Sequence, residues 1–235
     1  MSKKKIVILS VSVILSLILI TTLLITFLYI IPNERKQKER KLAVLTYKQN
    51  KLNLYEQENA LYDDYEVDVA FLGDSLTDGY DVVNFYPQLK VSNRGIGGDR
   101  TYDLLSRIQI SAYDLKPKVI TMLIGANNFK TMFNDYETIV KGLKENLPNT
   151  KIVLLSLTAM SGEWGKNNEL ACFNNIKIKL IADKYNCTFV DLFTPLFDIS
   201  TNGIFPEFTT DGGHLTNKGY TAITNILTPV LENLL

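Results

Sequence analysis

The sequence predicts a three-layer α/β/α sandwich around a parallel β-sheet, carried behind one N-terminal transmembrane helix. Three observations predict it. Ile6 to Ile31 is a run of 26 residues without charge, glycine or proline. From Val67 onward, short runs rich in Val, Ile and Leu alternate with longer amphipathic stretches. Small polar residues and glycines follow those short runs directly, as loops at the end of a sheet do.

At 1.5 Å per residue the first run is long enough to cross a hydrocarbon core of about 30 Å. It is bounded by Lys3–Lys5 and by Pro32, and no alanine precedes Ala43 to offer a small-x-small cleavage site. This reads as an uncleaved anchor rather than a cleaved signal peptide. A buried core helix is the alternative, but such helices seldom run this far without a polar face. Five basic residues follow the span, against three lysines and the terminal amine before it. Counting alone favours a cytoplasmic domain. A short basic head before a long apolar stretch is nevertheless the usual form of a signal anchor, so a single-pass membrane protein with an extracytoplasmic domain is expected. The organisation read from the sequence is a basic tail (1–5), an anchor (6–31), a stalk and first helix (32–65) and a globular domain (66–235). Apolar residues recur along the stalk at Leu42, Leu45, Leu52, Tyr55 and Leu61, and nothing in it points to chemistry.

Within the globular part, Val67–Leu72, Val119–Gly125, Ile152–Leu157 and Thr188–Leu192 are apolar and too short for helices. They read as buried parallel strands, with Lys90–Asn93 as a weaker one. Helices are expected over about 101–110, 135–146, 168–185 and 217–234. In open α/β sheets, sites form beyond the carboxyl ends of the strands, so the residues after each run carry the interest.

Composition removes several function classes. The formal charge is zero, yet residues 1–41 carry eight Lys/Arg against Glu34 and Glu39, leaving 17 basic and 23 acidic residues beyond them. An acidic globular part is a poor partner for phosphate backbones, so no nucleic acid is expected. Cys172 and Cys187 fit no metal spacing and no disulfide framework; they read as two buried thiols acting as small apolar residues, although one bridge is open to an exported domain. His214 is the single histidine, so any histidine-dependent chemistry must use it.

The first strand runs into Gly73-Asp74-Ser75-Leu76. A serine on a tight turn after a buried strand presents its hydroxyl where a nucleophile is needed; it also suits the start of a helix. The second strand leads to Asn93-Arg94-Gly95-Ile96-Gly97-Gly98-Asp99. Its glycines free backbone N–H groups that can stabilise an oxyanion. No Gly-Lys-Ser/Thr follows, and the dinucleotide spacing is not met. After the third strand come Gly125-Ala126-Asn127-Asn128, where a side-chain amide can donate to the same oxyanion, or simply serve a turn. Asp211 stands three residues before His214, close enough to orient its imidazole as in a catalytic triad, or to form a structural pair.

Taken together, these segments resemble the four blocks of the SGNH/GDSL hydrolase family, in family order, from about Val67 to the C-terminus. The forms Asn-x-Gly-Ile-Gly-Gly-Asp and Gly-x-Asn-Asn are similar to the branch of platelet-activating-factor acetylhydrolase and lysophospholipase-like esterases. Many members have Asp where this chain has Asn128, which bears on the subfamily. The resemblance implies a flavodoxin-like fold and a serine esterase or lipase with Ser75 as nucleophile, His214 as general base and acid, and Asp211 orienting it. It implies an oxyanion hole from the N–H groups of Ser75 and Gly98 with the Asn127 amide, and neither metal nor organic cofactor.

The substrate is less legible. The segment Thr158–Asn168 carries the single tryptophan, Trp164, and the loop before His214 carries Phe205 and Phe208. These aromatics either wall an acyl or sugar pocket or cap the core. A tethered, exported enzyme would meet small acyl or acetyl esters on envelope glycans or lipids. Two rival readings remain: an O-acyltransferase using the same serine, and a non-catalytic binding module on a degenerate hydrolase fold.

Overall fold

The structure, a computed structural model, describes residues 2–235 apart from the side chains at 5, 6, 9 and 12. Met1, the start of the expected basic head, lies outside the described residues. The chain divides into two compact units, one ending at Asn50 and the other spanning Lys51–Leu235.

The first unit is helical. An α-helix covers Lys3–Ile25, a single π turn Thr26–Ile30, and a second α-helix Ile31–Asn59, whose last turns belong to the globular unit. Pro32 accounts for the π turn, because its ring clashes with a carbonyl four residues back in regular helix. Apolar side chains such as Leu15, Leu19 and Phe27 are exposed all round the helix. Among the described residues this is the one helix long and apolar enough to cross a membrane.

The globular unit is built on five parallel strands: β1 (Val69–Gly73), β2 (Val91–Gly95), β3 (Val119–Leu123), β4 (Lys151–Leu155) and β5 (Thr188–Val190). Their order in the sheet is β2-β1-β3-β4-β5. The chain therefore reverses its direction of travel across the sheet after β2, which opens a crevice between the loops that follow β1 and β3. Because crossovers between parallel strands are right-handed as a rule, that reversal carries helices to both faces of the sheet. The longer helices are Tyr136–Asn146, Asn168–Lys184 and Asn217–Leu234. β1 and β3 are buried along their whole length, as strands covered on two sides must be.

β2 is the weak run of the sequence, for a physical reason. Its inward residues are Ser92 and Arg94 rather than aliphatics, and both are buried. The Arg94 guanidinium donates through Nε to Ser92 Oγ (2.6 Å) and pairs with Glu58 (3.2 Å). It also lies over the Tyr55 ring, 4.8 Å from the centroid. The helix expected over 101–110 stops at Ser106 and gives way to a π turn at Gln109–Tyr113, because Arg107 turns inward at the break. The cysteines depart from the expectation of two buried thiols. Both are free; Cys172 is exposed on the outer side of helix Asn168–Lys184, and Cys187 is half-buried in the turn before β5.

Candidate active site

The register of the sheet sets the geometry of the site. Gly73 at the end of β1 is level with Gly95 on β2 and with Leu123 on β3. The three following loops therefore rise from one edge, and bring Ser75, Gly98 and Asn127 to the wall of one cavity.

Ser75 opens a one-turn helix, Ser75–Asp78, capped by Asp74, whose Oδ1 accepts from the Leu76 N–H at 3.1 Å. The turn is tight enough that a Cβ on Gly73 would run into the Thr77 side chain and the Leu123 carbonyl. Asn93 ties this turn to β2. Its amide donates to the carbonyls of Thr77 (2.7 Å) and Tyr80 (2.8 Å), and its oxygen accepts from the Gly95 N–H.

Gly98 has a φ of +78°, in the left-handed region that glycine adopts without strain. Asn127 donates one of its two amide hydrogens to the Asp99 carbonyl at 2.9 Å. That bond fixes the amide and leaves its second N–H for a ligand. Asn128 is a clasp between loops, donating to Thr101 Oγ1 at 2.9 Å.

His214 Nε2 lies 3.1 Å from Ser75 Oγ, and its Nδ1 lies 2.8 Å from Asp211 Oδ2. The other oxygen of Asp211 accepts from the N–H groups of His214 (2.7 Å) and Gly213 (2.9 Å). The His214 N–H, the imidazole and then the Gly213 N–H hold the Asp211 carboxyl down at about 2. The loop itself is pinned by Thr209, whose hydroxyl donates to the His214 carbonyl and accepts from the Gly212 N–H, both at 2.8 Å. Trp164 stands edge-on to the imidazole, 6.3 Å between centroids.

Below the serine lies a buried charged network that motif reading did not anticipate. Arg107 pairs with Asp99 at 2.7 Å and donates to the carbonyls of Arg94 (2.9 Å) and Gly73 (3.0 Å). Asp74 is buried beside it, and burial pushes its carboxyl up to about 7; the Leu76 N–H opposes the rise, and the nearby Asp99 charge adds to it. Tyr55, from the helix that enters the globular unit, donates to the Gly95 carbonyl at 2.6 Å and so braces the glycine loop. The position of Asp74 at the end of a buried strand signalled its burial. Tyr55 stood out in the sequence only as one of the recurring apolar residues of the first helix, with no signal of its contact with Gly95.

The cavity has a volume of about 240 Å3 and is walled mainly by Leu123, Ala126, Phe129, Leu157, Met160 and Trp164. Of the aromatics singled out from sequence, Trp164 lines it. Phe205 and Phe208 meet each other edge to face, 5.7 Å apart, and are not among its lining residues. Among the described residues, no group of His, Cys, Asp and Glu is arranged to hold a metal ion.

Comparison with known proteins gives the arrangement a context. The sequence profile of the GDSL-like lipase/acylhydrolase family matches residues 71–222. No curated protein sequence matches the chain. Among solved structures, a candidate platelet activating factor from Streptococcus pneumonia is 25% identical, with a TM-score of 0.68 over 84% of this chain and 99% of its own. A GDSL-like lipase from Bacteroides thetaiotaomicron is 23% identical, with a TM-score of 0.67 over 78% of this chain and 98% of its own. An acetylxylan esterase from Geobacillus stearothermophilus, in a catalytic-mutant form, is 21% identical, with a TM-score of 0.59 over 72% of this chain and 95% of its own. The last two, at that identity, share the fold.

Proposed function

Since this chain belongs to the GDSL-like lipase/acylhydrolase family and is a hydrolase of ester bonds, we propose that it works as a membrane-anchored serine esterase through an acyl-enzyme on Ser75. The observation that carries this reading is the relay from Ser75 Oγ to His214 Nε2 to Asp211, at 3.1 and 2.8 Å, on the rim of an apolar cavity.

Ser75 Oγ attacks the ester carbonyl carbon while His214 Nε2 takes its proton. Asp211 accepts from Nδ1–H, which keeps Nε2 free as the base, and it stays ionised beside the imidazolium because its own carboxyl is held near 2. The oxyanion is received by the N–H groups of Ser75 and Gly98 and by the second amide hydrogen of Asn127. His214 returns its proton to the departing alcohol. Water then repeats the sequence on the acyl-enzyme and restores Ser75. The substrate is a carboxylic ester of an envelope lipid or glycan, met on the extracytoplasmic side, to which the short basic head and apolar anchor direct the domain.

Hydrolysis of p-nitrophenyl butyrate by the full chain tests the roles. Ser75→Ala abolishes turnover, and Asn127→Ala lowers kcat by about 10²–10³. A His214→Ala protein with wild-type turnover overturns the assignment.

A further inference from the structure

We propose that the cavity beside Ser75 seats an aliphatic acyl chain of medium length, so that the preferred substrates are hydrocarbon-chain esters rather than O-acetylated glycans. This rests on the serine-esterase reading above and names the acyl half of its substrate.

The walls decide the chemistry. Leu123, Phe129, Leu157 and Met160 are all buried and apolar, contributed by the end of β3 and by the loops that follow β3 and β4. Among the described residues that line the cavity, the charge-bearing side chains are Asp74 and His214. Both belong to the serine end, since Asp74 precedes Ser75 and His214 bonds it. A sugar ring placed against those walls would lose water from its hydroxyls and find few partners for them, which opposes binding. A hydrocarbon chain gains from the same transfer.

Size decides the length. An apolar cavity of about 150 Å3 accepts a six-carbon ring, and the cavity here, at about 240 Å3, is larger. The methyl of an acetyl ester leaves most of its apolar wall uncovered. A chain of six to eight carbons occupies the space, and longer chains must emerge past Trp164, which is part-exposed where it packs against Gly213 and His214.

The test is a series of p-nitrophenyl esters from acetate to palmitate, with acetylated xylan beside them, given to the full-length protein in detergent. The expected kcat/KM rises about fourfold per added methylene, peaks at hexanoate to octanoate and falls for palmitate, with little acetate released from xylan. Ala126→Leu, which adds bulk to a half-buried wall position, moves the peak to shorter chains. Trp164→Ala, at a part-exposed position with little bearing on folding, raises palmitate relative to octanoate. A flat profile, an optimum at acetate, or faster turnover of acetylated xylan than of octanoate overturns the acyl-chain assignment. If Ser75→Ala is inert in that event, the serine mechanism survives it. If Ser75→Ala retains hydrolysis, the mechanism falls and the cavity assignment with it.

Discussion

Two carboxylates near Ser75 are pushed in opposite directions by their surroundings. Asp211 is half-exposed and accepts two backbone N–H groups and the imidazole, so it remains ionised throughout the physiological range. Asp74 is sealed at the end of β1, where desolvation raises its carboxyl to about 7. A carboxyl whose folded value lies above its unfolded one binds more protons folded than unfolded. Its contribution to stability is therefore greatest below its ordinary value of 3.8 and is lost as pH rises toward 7. Asp74→Asn removes that loss while retaining an oxygen for the Leu76 N–H. The variant is expected to match wild type near pH 4 and to gain on it by up to about 1.4 kcal/mol per pH unit toward neutrality. Urea midpoints at pH 4, 5.5 and 8 check this, and equal midpoints at every pH would refute it. Ser75 was legible because it follows the end of a buried strand, and Asp211 and His214 because they stand three residues apart just before the last helix. The state of Asp74 was not, since it depends first on how completely the fold buries the carboxyl and then on the Asp99 charge set nearby, which Arg107 partly offsets.

At the scale of elements, the end of helix Ile31–Asn59 is part of the catalytic unit's architecture. Tyr55 braces Gly95, while the Tyr55 carbonyl (3.3 Å) and Glu58 (3.2 Å) receive the buried Arg94 guanidinium. The stretch 32–65 read from sequence as a stalk and first helix without chemistry, because the partners of Tyr55 and Glu58 lie 36 to 40 positions away. Tyr55→Phe leaves the Gly95 carbonyl without its donor and is expected to cost about 1–3 kcal/mol of stability. A protein beginning at Lys51 keeps the whole clamp. One beginning at Leu61 strands the Arg94 charge and is expected to lose about 3–5 kcal/mol, read from denaturant midpoints. Equal stability of the two shortened proteins would show that the clamp contributes nothing. The strands were legible wherever both faces are apolar, as in β1, β3 and β4. β2 was faint because Arg94 occupies a place that aliphatics usually fill, and only its distant partners make that burial tolerable.

For the whole molecule, the membrane-anchored reading proposed above gives the apolar helix and the esterase unit separable duties. Among its described residues the helix exposes its apolar side chains, an arrangement that lipid satisfies and water does not. Full-length protein is expected to sediment with membranes and to require detergent for release. A protein beginning at Asn33 should remain in the supernatant with unchanged kcat on butyrate. Recovery of the full-length chain in the soluble fraction would count against the anchor.

Local order along the chain carried much of this. The apolar run, the alternation of short and long stretches, and the small residues after the strands were enough to indicate a parallel α/β sandwich behind one long apolar helix, and to single out Ser75 and His214 as candidates, because each depends on near neighbours. The cavity's size and apolar walls, the raised carboxyl of Asp74 and the bracing by Tyr55 came only from tertiary structure. They arise where Leu123, Phe129, Leu157 and Met160, or Asp74, Asp99 and Arg107, converge from separate segments. Spacing along a chain records which strand a residue follows; burial and electrostatics depend on what other strands set beside it.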